Sequence, residues 1–230
     1  MFPYLPTFVR QSHTMTKTIS RYTAGEEKLN IYSHGLGFIL SIPAGFLLLQ
    51  KAAAMQDTAA LIAASIFAFS LLLLYLASTL YHASTNLVKR QRLNIFDHAA
   101  IYVLIAGTYT PVAVITLGGF WGLTMLIIIW TMALAGIIFK LFFTGRFGLA
   151  STIAYVVMGC VVIIALKPMM AAMSQHGLIL LAAGGLSYIL GALLYQLKHL
   201  PFNHVIFHVF VLIGSACHFM MVYQDILGAG

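Results

Sequence analysis

The chain has 230 residues, 61% apolar and 7% charged, with a mean hydropathy of +0.97 and a formal charge of +7. An ordinary soluble domain carries about 25% charged residues, so this chain cannot clothe a water-facing surface, and it holds too much apolar surface to stay disordered. Its two cysteines, Cys160 and Cys217, exclude a disulfide-stapled fold, and apolar runs of about 20 residues specify spanning helices rather than barrel strands.

Residues 1–30 read as a cytoplasmic N-terminal tail, followed by a seven-helix transmembrane domain over 31–230. The tail lacks the short apolar core of a cleaved signal, so the first span is expected to be retained and to drive insertion. Spans are predicted near 31–50 and 59–83, with the polar stretch Lys51 to Asp57 between them. The basic run Lys89-Arg90-Gln91-Arg92 is expected as a turn ahead of a third span near 97–117. In that span Gly107 permits close helix approach and Pro111 removes a helical hydrogen bond, so a kink is expected there. Gly118-Gly119 turns the chain into a fourth span near 120–140, and Thr144-Gly145-Arg146 into a fifth near 147–167. Lys167-Pro168 and the run Lys198 to Pro201 bound the sixth, near 177–197, and a seventh follows near 204–224.

The basic residues set the orientation. Arg10, Lys17, Arg21, Lys28, Lys89, Arg90, Arg92, Lys140, Arg146 and Lys198 fall on one side, and only Lys51 and Lys167 on the other. The N-terminus is therefore expected to be cytoplasmic and the C-terminus outside, in a multi-pass plasma (inner) membrane protein. Cations placed in connections suit anionic headgroups. No basic face with interleaved aromatics exists, so no nucleic-acid partner is expected.

Polar groups at membrane depth are costly and face the bundle interior. Under this orientation His34, Ser78, His82, Asp97, His98, His204 and His208 all fall in the cytoplasmic leaflet. His218 lies ten residues past His208, roughly 15 Å deeper at 1.5 Å per residue. His204 and His208 are one turn apart on one helix face, as are Ser78 and His82. Two histidines at that spacing and a third from another helix supply the three nitrogen donors of a catalytic zinc site, with the fourth position open. Asp97 then accepts a hydrogen bond from the bound water or acts as general base, and Ser78 holds the same water or a substrate carbonyl. Proton relay through the same groups is the competing reading. His34, His98 and His218, each alone, read as interfacial anchors or interhelical hydrogen bonders.

The segments Glu27-x-x-Asn30-x-x-Ser33-His34, Leu76 to Ala83, Phe96-Asp97-His98 through Pro111, and His204-x-x-x-His208 with His218-Phe219 make the chain recognisable. It resembles the bacterial haemolysin III family, within the wider group of progestin and adipoQ receptors that includes the adiponectin receptors, with alkaline ceramidases as distant relatives. The resemblance covers nearly the whole chain after the tail. It implies a seven-helix receptor-like fold with the N-terminus inside, zinc held by His82, His204 and His208, and a water held towards Asp97 with Ser78 nearby. It also implies hydrolysis of ceramide-like amides, so the expected function is zinc-dependent hydrolysis of an amide or ester in a membrane lipid. Two alternatives stay open: a membrane sensor or regulator with structural zinc, and a membrane-permeabilising protein or channel.

Overall fold

Seven helices long and apolar enough to cross a membrane follow one another through the computed structural model, which describes residues 22–228. They are α1 (Ala24–Ala54), α2 (Thr58–Ala83), α3 (Leu87–Leu117), α4 (Gly119–Phe143), α5 (Gly148–Ala172), α6 (Gln175–Gln196) and α7 (Asn203–Ile226). No strand occurs among the described residues. Arg10, Lys17 and Arg21, which carry part of the orientation argument, lie outside the described residues.

Two helix starts differ from the expected spans, for one reason. α1 begins at Ala24, seven residues ahead of 31, because a capping box closes its first turn: the Thr23 hydroxyl accepts from the Glu26 amide, and the Glu26 carboxylate accepts from the Thr23 amide at 2.8 Å. Glu27 and Asn30 therefore belong to the helix. α3 begins at Leu87 because the Asn86 side chain caps the Lys89 amide at 3.0 Å. The run Lys89-Arg90-Gln91-Arg92, expected as a turn, lies within the helix's first two turns; Lys, Arg and Gln are all good helix formers. α5 runs on to Ala172 through Lys167-Pro168, with the 3₁₀ stretch Cys160–Ala165 absorbing the proline.

α3 is the most buried of the seven and α2 the next, and these two form the centre of the bundle. α1 packs along α2, α2 along α3, α6 along α7, and α1 meets α7 to bring the two ends of the chain together. Gly107 sits where α3 touches α2: a Cβ there would lie 2.4 Å from the Ser70 hydroxyl oxygen. Beyond Pro111 the helix widens into a π turn over Val112–Leu117, the form the expected kink takes. At one end of the bundle Lys51 donates to the Tyr223 carbonyl at 2.7 Å, tying α1 to α7. The other end gathers the start of α1, the end of α2 and the starts of α3 and α7, and with them most of the polar side chains singled out above.

Candidate metal centre

His82 stands in the last turn of α2, and His204 and His208 in the first turns of α7. All three are buried, and one nitrogen from each lies within 4.8 Å of the others. The approach is closest between His82 Nε2 and His204 Nε2, at 3.1 Å. Two distant stretches of chain thus meet.

Hydrogen bonds from outside the triad decide which nitrogens face inward. A carboxylate only accepts, so His82 Nδ1–H donates to Glu27 Oε2 at 2.7 Å, and its Nε2 acts as the acceptor towards His204 Nε2. The Ser33 hydroxyl spends its proton on the Asn30 carbonyl at 3.1 Å. It therefore accepts from His208 Nδ1–H, also at 3.1 Å, which leaves His208 Nε2 unprotonated. Metal-ligating histidines are held in this way, by a carboxylate or oxygen on the nitrogen away from the ion. Glu27 is itself braced by the Arg90 guanidinium, which lies over the Tyr81 ring at 5.0 Å. Tyr22 and Tyr195 flank His204, with ring centroids 4.9 and 5.3 Å from it. The three donors could hold a metal ion: the imidazoles are buried and converge, and two of them have the outer nitrogen engaged by a neighbouring side chain.

The other expected site residues take different places. Ser78 is fully buried one turn before His82, with no partner on its hydroxyl. Asp97 is buried on α3, with Oδ2 3.6 Å from His98 Nδ1, and its carboxylate is not part of the converging group. His98 donates from Nδ1 to the Asn94 carbonyl at 2.9 Å, a bond within α3 and not between helices. His218 bonds the Leu181 carbonyl at 3.2 Å and packs on Tyr188, apart from the triad. His34 departs from the expectation of an interfacial anchor. It is 3% exposed, makes no hydrogen bond, and stacks on His208 with centroids 3.4 Å apart and rings 10° from parallel.

The sequence alone gives Glu27, Ser33 and Arg90 no part in the centre. The available signal was spacing: Glu27, Asn30 and His34 stand at i, i+3 and i+7, one face of a helix that hydropathy alone starts too late. Glu27→Gln is expected to retain the fold and weaken metal binding about 10- to 100-fold, the usual cost of losing an outer partner. Competition against a chelator of known affinity measures it, and unchanged affinity would show that Glu27 does not orient His82.

The haemolysin-III related family model matches residues 22–219, which takes in every residue of this centre. Hemolysin-3 of Bacillus cereus is 47% identical over 215 residues, covering 93% of this chain and 98% of that protein. The Hemolysin-3 homolog of Bacillus subtilis (strain 168) is 48% identical over 201 residues, covering 87% and 94%. The human monocyte to macrophage differentiation factor is 28% identical over 215 residues, covering 88% and 85%. The chain belongs to the haemolysin III family and is a multi-pass membrane protein.

Proposed function

We propose that this haemolysin III family protein is a zinc-dependent hydrolase of an amide or ester in a membrane lipid, working in the cytoplasmic leaflet. The observation that carries the reading is the converging His82, His204 and His208, two of them with their outer nitrogen already engaged. Three neutral imidazoles leave one tetrahedral position open, the pattern of catalytic rather than structural zinc sites. When bound, the ion supplies Lewis acidity, activating water near neutral pH and polarising an acyl carbonyl. Ser78, one turn from His82, positions the water or the carbonyl oxygen, and Asp97 takes the proton. The apolar bundle keeps bulk water from this chemistry, and the ten basic residues assigned to one side favour the cytoplasmic face.

The test is metal analysis joined to lipid-product mass spectrometry on purified protein. The expected result is about one zinc per chain and a fatty-acid product that disappears on chelation and returns with zinc. Zinc without product would leave a structural-metal sensor. The relatives' printed names favour a second reading, membrane permeabilisation. That reading requires ion leakage from liposomes that is indifferent to chelation.

A further inference from the structure

α1 and α2 run antiparallel, and two contacts fix their register. Glu27 meets His82 at one rung; seven residues deeper on each helix His34 meets Tyr75, with ring centroids 5.1 Å apart. Between these rungs the same register sets Asn30 opposite Ser78. The spacing i, i+3, i+7 keeps each row on a single helix face. α7 supplies a third wall through His208, stacked on His34.

These residues are buried: Asn30 and Ser78 at 0% exposure, Tyr75 at 2%. Both amide atoms of Asn30, both ring nitrogens of His34, and the hydroxyls of Ser78 and Tyr75 nevertheless complete no hydrogen bond of good geometry, although the Tyr75 hydroxyl faces that of Ser215. They make up six of the ten buried side-chain polar atoms in that condition among the described residues. Such clustering is not what packing of a dry core produces, since buried polar groups are almost always satisfied, by protein or by ordered water.

The side chains decide what could satisfy them. They offer an amide, two hydroxyls and an imidazole, donors and acceptors together, and no free charge; Glu27, one rung out, is engaged by His82 and Arg90. An anion or cation finds no counter-charge there. A small neutral molecule that both donates and accepts fits all of them.

We infer that Asn30, His34, Tyr75 and Ser78 form a water-holding chamber on the deep side of the metal triad. Its inner end is closed at Gly37, where a Cβ would lie 2.5 Å from the Tyr75 ring and 2.8 Å from Leu212. Water held there reaches the reacting carbonyl from beneath, so a lipid seated across the mouth of the site does not cut off the co-substrate. That use rests on the hydrolase reading; the holding of water does not.

Hydroxyl-radical footprinting tests it. The full chain in lipid nanodiscs is exposed to X-rays, and oxidation of Tyr75 and Tyr102 is read by mass spectrometry. Tyr102 is as buried as Tyr75, at 3% exposure; both rings pack in apolar clusters, Tyr102 with Ile129 and Met158, but only Tyr75 also packs against His34. Radicals formed from water held against Tyr75 label it, while Tyr102 escapes. Tyr75 is expected to label faster than Tyr102 in the parent. Asn30→Leu and Ser78→Ala are each expected to slow it towards the Tyr102 rate; the serine variant, which removes one oxygen, serves where the asparagine variant does not fold. Equal labelling of the two tyrosines in the parent, or Tyr75 labelling unchanged in both variants, overturns the chamber. Zinc and product are measured on the same samples, so absent hydrolysis with preferential Tyr75 labelling counts against the hydrolase reading alone.

Discussion

Replacing His208 with alanine is expected to take the protein from about one zinc per chain to none, while His218→Ala keeps its zinc. His208 contributes one of three converging nitrogens, and the other two cannot hold an ion with an open position in a buried site. The substitution also removes the ring on which His34 stacks and the donor to Ser33. His218 is also buried and on the same helix, but bonds the Leu181 carbonyl. It therefore controls for the general cost of removing an imidazole from α7. Thermal unfolding supplies a second readout. An ion bound only to the folded state at about a thousand times its dissociation constant stabilises by about 4 kcal/mol. Chelation should then lower the Tm of the parent and of His218→Ala, and leave that of His208→Ala where it is. Parental zinc content in His208→Ala would remove the metal assignment, and equal loss in both variants would trace the loss to the fold.

α2 and α4 lie close to the expected 59–83 and 120–140, because for them the apolar run and the helix coincide. α1 and α3 extend outwards from their apolar runs through turns rich in Glu, Lys, Arg and Gln, which hydropathy treats as connection but helix propensity and capping extend. The triad was legible because the one-turn spacing of His204 and His208 and the depth of His82 are local properties, joined only by the alternation of the spans. The partners on the outer nitrogens were not. Whether Glu27 meets His82, or Ser33 meets His208, depends on how far α1 slides along α2 and α7, a non-local quantity that no short motif encodes. His34 shows the same limit. Its burial and its stacking on His208 follow from α1 closing against α7, and nothing in its immediate sequence distinguishes that from anchoring at an interface.

Asp97→Asn is expected to separate metal binding from turnover: zinc content as in the parent, with product formation reduced about a hundred- to ten-thousand-fold, the usual contribution of a positioned general base. Asparagine keeps the shape and the acceptor oxygen of aspartate but cannot take a proton. Since the Asp97 carboxylate lies outside the converging group, the substitution removes no donor. The residue is buried on α3, the helix packed along α2, beside His98 and in the electrostatic reach of the buried Lys140. A carboxylate in that corner has little to do for solvation of the protein and is costly to keep without a role. Full activity in Asp97→Asn would transfer the proton to another group; loss of zinc would make Asp97 a support of the centre rather than its base.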